Sequence, residues 1–256
     1  MPRESPDRLT VVRNLIGTAA MVPAAAEGIV VGLLRRNRRN GVDQFMRRVA
    51  DSQFFWAGVT LNVEGRDNLE AERPAVFIFN HKNNFDIFVA GRLVGHDFTS
   101  VGKKEAAANP IGAAIGKLMD AVFIDRDDTA GAIAALQPVT EAVARGLSLV
   151  ISPEGTRSKT GELLPFKKGP FRIAMAAGVP IVPIVIRNGE DLAPHNSMVM
   201  HSAKIDVKVL SPIPTSEWTV ANLGKRIAAV EQLYGDTLAD WSAAAMKPRA
   251  AKKPPA

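Results

Sequence analysis

The 256-residue chain has no cysteine. That excludes disulfides, thiolate zinc sites and a cysteine nucleophile, and it fits a reducing compartment. Histidine is scarce as well. Only His81, His96, His195 and His201 occur, and they leave little room for a histidine-rich metal site. Gly-x-Ser-x-Gly, His-Glu-x-x-His and Gly-x-Gly-x-x-Gly are all missing, so the sequence offers no nucleophile elbow, zincin helix or dinucleotide fingerprint. The run Gly112-Ala113-Ala114-Ile115-Gly116-Lys117 is one spacer short of a phosphate loop and continues with Leu118 instead of Ser or Thr. Internal repeats are absent. What remains is ordinary for a folded protein with a substantial core: 46% hydrophobic and 23% charged residues.

Acidic residues are lacking where basic ones gather. Residues 1–50 carry nine arginines against Glu4, Asp7, Glu27 and Asp43. Lys247, Arg249, Lys252 and Lys253 have no acidic neighbour in the last ten residues, while residues 51–246 are slightly acidic. A nucleic-acid binder needs a basic core face with interleaved aromatics, and this charge distribution denies it. Basic ends beside apolar segments point to an anionic membrane surface instead.

Residues 14–34, NLIGTAAMVPAAAEGIVVGLL, are mostly apolar and about long enough to span a bilayer, but contain Pro23 and Glu27. Arg35, Arg36, Arg38 and Arg39 follow, where a secretory signal would have a small-residue cleavage site. Val42, Phe45, Met46 and Val49 recur at helical spacing, ahead of Phe54, Phe55 and Trp56. Residues 9–57 are thus expected to form two helices lying on or dipping into a membrane surface. The competing expectation packs both on the domain core.

From residue 58 onward, strands alternate with helices. Residues 58–64, 75–79, 98–101, 121–124 and 147–151 read as strands, and Ile205, Val207 and Val209 alternate in the same way. Residues 82–94, 111–119, 171–177 and 219–245 read as helices, with another running from a Thr129 cap to about 145 and kinked at Pro138. Residues 179–186 are apolar but carry Pro180 and Pro183, which predicts an edge or irregular strand. The fold class is α/β: a single domain over 58–246, with a mixed sheet flanked by helices. It is preceded by the membrane-associated helical pair at 1–57 and followed by a basic disordered tail at 247–256.

Asn80-His81-Lys82-Asn83-Asn84-Phe85-Asp86 follows directly on a buried strand, where open α/β sheets place their sites. Two helical residues five apart would point about 140° away from each other. His81 and Asp86 therefore meet only if His81 sits in the turn before a helix and Asp86 in its first turns. Asp86 would then fix the tautomer and leave the second ring nitrogen as a base. With no protein nucleophile in view, that base would act on a substrate hydroxyl. Ser152-Pro153-Glu154-Gly155-Thr156-Arg157-Ser158 follows a second strand. Gly155 permits close backbone approach, Arg157 offers a forked donor to phosphate, and Glu154 can bind a hydroxyl or hold Arg157. Lys103 and Arg126 stand at two further strand ends, so several cations gather beside the base.

These blocks resemble those of the lysophosphatidic acid acyltransferases (1-acylglycerol-3-phosphate O-acyltransferases) of the glycerolipid acyltransferase superfamily. Asn80, His81 and Asp86 match the first block, and Phe123-Ile124-Asp125-Arg126 the second. Residues 153–158 match Pro-Glu-Gly-Thr-Arg-Ser in full, and the Val-Pro-Ile-Val-Pro run 179–183 the fourth. The order is right, and the similarity covers roughly 58–212. The chain departs at Ser152, where the family usually has a large apolar residue, and at Ala106-Ala107-Ala108, which replace bulkier apolar ones. The resemblance implies acyl transfer from acyl-CoA or acyl-carrier protein to the sn-2 hydroxyl of a lysophospholipid acceptor, giving phosphatidic acid without a metal or cofactor. It implies His81 as general base, Asp86 as its partner, and Lys103, Arg126, Glu154, Gly155, Thr156 and Arg157 around the acceptor's glycerol phosphate. It also implies a peripheral or monotopic place on the cytoplasmic face of the cell membrane. The alternatives are another lysophospholipid, glycerol 3-phosphate or a glycolipid as acceptor, or a non-catalytic lipid-binding scaffold.

Overall fold

Apolar runs bounded by glycine and proline become the strands of one seven-stranded sheet. The computed structural model describes residues 7–108, 110–124 and 137–246. Its strands are β1 (Val59–Glu64), β2 (Val76–Phe79), β3 (Phe98–Lys103), β4 (Val122–Ile124), β5 (Ser148–Ile151), β6 (Ile181–Ile186) and β7 (Ala203–Val209), in the order β1-β7-β6-β2-β5-β3-β4. All neighbours are parallel except β6 and β7. Five strands, β2 to β6, therefore end along one edge, and sites form at such an edge. The described helices are α1 (Arg8–Ala19), α2 (Met21–Leu34), α3 (Arg38–Ala57), α4 (Asp86–Val94), α5 (Lys104–Ala108), α6 (Pro110–Leu118), α7 (Gln137–Ala144), α8 (Lys168–Ala177) and α9 (Leu223–Met246).

The sheet is covered on both faces. Phe77, Phe79 and Val150 pack against Val89, Ala90 and Leu93 of α4 and Val42 and Phe54 of α3. On the other face Val76, Ile78 and Leu149 meet Val139 of α7, Phe171 and Ile173 of α8 and Ile227 and Tyr234 of α9. Burial on both faces explains why β2 reads as an unbroken apolar run instead of an alternating one.

Three expectations need correction. The helix expected from residue 82 begins at Asp86, because its carboxylate binds the Lys82 and Asn83 amides in a turn. The final helix begins at Leu223, not Thr219. Thr219 and Asn222 form a reciprocal cap, the Thr219 amide donating to Asn222 Oδ1 (2.8 Å) and the Asn222 amide to Thr219 Oγ1 (3.3 Å). Strand β6 is interior despite Pro183. Its pairing with β7 spans only Ile184 to Ile186, so the imide nitrogen of Pro183 falls where that ladder has ended. The Gly112–Lys117 run lies within α6, in the helix expected over 111–119. Thr129, and with it the start of its helix, lies outside the described residues, as does the tail from Lys247.

The N-terminal segment forms three helices, not two. Pro23 has no N–H for the Ala19 carbonyl, and the chain turns at Ala20 between α1 and α2. α2 and α3 then meet through glycines. A Cβ on Gly41 would lie 2.5 Å from the Gly28 carbonyl oxygen and 3.1 Å from Gly32 Cα. The apolar face of α3 is core: Val42, Phe45 and Val49 are buried, and only Phe55 and Trp56 of its aromatic end look outward. The outer faces of α1 and α2 are different. Leu9, Leu15, Val22, Ile29, Leu33 and Leu34 are exposed, Leu34 to 80%. Arg8–Leu34 is long and apolar enough, by length and composition, to cross a membrane. Glu27 is paired with Arg48 (2.7 Å) and Gln44 (2.5 Å) on α3. Asn14 is buried and ties α1 to the α/β unit. It donates to the Met200 carbonyl (2.9 Å) and accepts from the Met200 amide (2.8 Å).

Candidate active site

β2 ends at Phe79, and Asn80 extends its pairing to β6 with a side chain. Its Nδ2 donates to the Ile186 carbonyl and its Oδ1 accepts from the Ile186 amide, both at 2.8 Å. This pins the chain where it leaves the sheet. His81 comes next, its ring edge-on to Phe79 with centroids 5.5 Å apart. The turn after it is organised by Asp86, whose carboxylate is fully buried. Oδ2 accepts from the amides of Lys82 (2.5 Å) and Asn83 (2.7 Å) and lies 3.1 Å from His81 Nδ1. Asn83 Nδ2 reaches Oδ1 (3.2 Å) and the Gly189 carbonyl (2.6 Å). Asp86 is a pure acceptor here, so Nδ1 carries the hydrogen and Nε2 keeps its lone pair. The spacing of five works because His81 precedes α4 and Asp86 opens it.

Glu154 lies beside this turn, 2% exposed. Its Oε1 accepts from the His81 amide (2.7 Å) and its Oε2 from the Leu164 amide (2.9 Å). Burial pushes its carboxyl up to about 7, against the pull of those two amides. Glu154 therefore braces the backbone behind His81 and stands apart from the cavity wall. Tyr234, buried below the edge, donates to the Ile78 carbonyl at 2.7 Å.

Arg157 turns toward the α4 side. Its Nη1 donates to Asn84 Oδ1 and to the His195 carbonyl (2.8 Å). His195 Nδ1 lies 2.9 Å from the Ser158 carbonyl oxygen, so this residue braces the same loop twice. Gly155 has φ +68°, and a Cβ there would sit 2.8 Å from Lys167 Cδ, which makes glycine the fitting residue. A cavity of about 840 Å³ opens among these groups. His81, Gly155, Thr156 and Arg157 form part of its wall, continued by apolar Phe79, Ile87, Val101, Val150, Ile151 and Ile173. A proton acceptor, several cations and a long apolar wall suit an amphiphile with an anionic head and a reacting hydroxyl.

Among the residues expected at the site, the structure brings His81, Asp86, Glu154, Gly155, Thr156 and Arg157 together. Lys103 closes β3 at the same edge. Arg126 lies outside the described residues. Sequence reasoning missed Asn84 and His195 as supports of Arg157. Asn84 stands within the His81 block and was within reach of closer reading. His195 acts largely through its backbone, which leaves no signature in sequence.

An open α/β sheet with its site at the strand ends, reached through a His-Asp pair and an arginine, defines the class. A solved structure described as the 1-acyl-sn-glycerophosphate (LPA) acyltransferase PlsC from Thermotoga maritima shares the fold. Its TM-score is 0.74 at 22% identity, over 94% of this chain and 97% of that one. Residues 60–187 match the Acyltransferase family model, and the chain belongs to that family. It is 35% identical over 192 residues to the 1-acyl-sn-glycerol-3-phosphate acyltransferase of Cocos nucifera, covering 74% of this chain and 62% of that protein. The protein of the same name from Salmonella typhimurium is 35% identical over 161 residues, 62% of this chain and 65% of its own length. The chain thus spans somewhat less than two thirds of the length of these relatives.

Proposed function

We propose that the chain moves a fatty acyl group from a thioester, acyl-CoA or acyl-carrier protein, to the free sn-2 hydroxyl of 1-acylglycerol 3-phosphate, yielding phosphatidate. The observation that carries this reading is the His81–Asp86 pair facing the cavity that Arg157 also lines. His81 Nε2 takes the hydroxyl proton as the oxygen attacks the thioester carbonyl. The C–S bond breaks, and the imidazolium returns the proton to the departing thiolate. Asp86 orients the ring and stabilises its charged form. Arg157, with Gly155, Thr156, Lys103 and Arg126, holds the glycerol phosphate. General-base help is worth about 10²–10⁴-fold, so positioning of the acceptor supplies much of the remaining acceleration. The names of the relatives and the family blocks support this acceptor.

The same reading sets the protein on a lipid surface, on the cytoplasmic face of the cell membrane. The exposed leucines and isoleucines of α1 and α2 would enter the headgroup boundary, with Arg35 and Arg36 near anionic lipids. Both substrate chains then stay in lipid while their head groups react.

The test is acyl transfer from palmitoyl-CoA to 1-acylglycerol 3-phosphate on vesicles, wild type beside His81→Ala, with the lipid products separated. Phosphatidate from wild type alone is expected. Equal turnover by the folded variant removes His81 as the base.

A further inference from the structure

The wall that Arg157 lines also carries Lys167, whose side chain lies against Gly155, and two further cations on α8. Lys168 and Arg172 are one turn apart on α8, both exposed and both on the cavity wall, and Ala176 continues the same stripe one turn later. Among the described residues, neither side chain has a carboxylate partner. Their arrangement opposes helix stability. Like charges four residues apart repel, and Lys168 is the first residue of α8, where the helix dipole already disfavours a cation. An anion bound between the two side chains relieves both effects.

That anion is not the one Arg157 serves. Arg157 is braced by Asn84, in the turn before α4, and by His195. α8 packs on the opposite face of the sheet from α4, its Phe171 and Ile173 against Val76 and Ile78. Beyond Arg172, the wall turns apolar through Ile173, Ala176, Ile151 and Val101. The ligand of this side thus carries negative charge at the mouth and a hydrocarbon chain running inward.

We propose that Lys168 and Arg172 bind the phosphates of a nucleotide-type acyl carrier, fixing acyl-CoA as the donor and laying its acyl chain along α8. This rests on the acyl-transfer reading above. A thioester donor enters the reaction beside a phosphate-bearing acceptor, and two anion sites on opposite sides of the sheet keep their charges apart.

The test compares palmitoyl-CoA with S-palmitoyl-pantetheine, which has the same thioester and no phosphate. The full chain is assayed on vesicles at saturating 1-acylglycerol 3-phosphate, wild type beside Lys168→Gln/Arg172→Gln. Circular dichroism melting establishes that the variant is folded. Loss of two charge-assisted contacts should lower kcat/KM for palmitoyl-CoA by about tenfold or more, through KM. The value for the pantetheine thioester should stay within about twofold, as should the acceptor KM. Adenosine 3′,5′-diphosphate should compete with palmitoyl-CoA in wild type and much less in the variant. An equal fall on both donors, a raised acceptor KM, or no change overturns the proposal. So does a wild type that uses palmitoyl-acyl-carrier protein in strong preference to palmitoyl-CoA. Absence of product from wild type with every donor removes the acyl-transfer reading itself, whereas product with unaltered donor selectivity removes only this site.

Discussion

Glu154 offers a sharp test of the site's construction, because its burial has a measurable sign. The carboxyl sits behind His81 at 2% exposure and is raised from 4.5 to about 7, chiefly by desolvation. A group whose folded pKa lies above its unfolded value contributes stability that is fully present below the unfolded pKa. That contribution fades as pH rises toward the folded one. The rise in pKa corresponds to about 3 kcal/mol, lost between roughly pH 4.5 and 7 and constant above. Glu154→Gln removes the titration and leaves one of the two amides, His81 or Leu164, facing an NH₂ group. That adds a pH-independent penalty of about 1–3 kcal/mol. The difference in unfolding free energy, wild type minus variant, should therefore fall by about 3 kcal/mol from pH 4.5 to 7.5. Urea unfolding in a non-ionic detergent, followed by tryptophan fluorescence, to which Trp218 in the α8–α9 core contributes, reads it directly. The other carboxylates cancel in the difference. Parallel profiles would refute the reasoning, as would a wild type that gains on the variant with rising pH.

Three further outcomes follow from the geometry. Arg157→Ala should raise the acceptor KM by about 10–100-fold with kcat little changed, since a charge-assisted phosphate contact contributes about 1.5–3 kcal/mol. Steady-state kinetics at varied 1-acylglycerol 3-phosphate checks it, and an unchanged KM takes Arg157 out of the clamp. Gly41→Ala places a Cβ 2.5 Å from the Gly28 carbonyl oxygen. It should destabilise the α2–α3 packing by about 1–3 kcal/mol despite the better helix former, seen as a lower Tm. Leu33→Asp/Leu34→Asp should leave folding intact and weaken co-sedimentation with anionic vesicles by more than about tenfold, because each buried leucine is worth about 1.5–3 kcal/mol. Full co-sedimentation would mean that another face meets the lipid.

The site was more legible than the architecture around it. His81 and Asp86 stood out because a buried strand ended just before them and because a spacing of five works only across a turn-to-helix junction. The sequence also showed that helices flank a sheet. It did not show which face of a helix meets protein and which meets another surroundings. Val42, Phe45 and Val49 have the periodicity of a membrane-seeking helix, yet they belong to the core, while the less regular α1 and α2 carry the outward apolar surface. Pro180 and Pro183 argued for an edge, and the interior place of β6 depends on how few pairs it makes with β7, a property of the partner strand. Glu154 was visible as a motif residue. Its work in bonding two backbone amides depends on the fold of residues distant in sequence and leaves no trace in spacing.

Residues 195–200 join three parts of the molecule within a few peptide units. The carbonyl of His195 holds Arg157 (2.8 Å), that of Ser197 accepts from Asn84 Nδ2 (2.8 Å), and Met200 exchanges both its backbone hydrogen bonds with Asn14 of α1. The helix that carries the outward leucines and the arginine that lines the cavity with His81 are thereby fixed to one short strut. The strut is a depth gauge: it fixes the height of the Arg157 guanidinium relative to the outward apolar surface of α1 and α2. On the proposed reading, the choice between a primary and a secondary glycerol hydroxyl would then turn on how deep the protein sits, set by a hydrogen-bonded loop as well as by the cavity's shape.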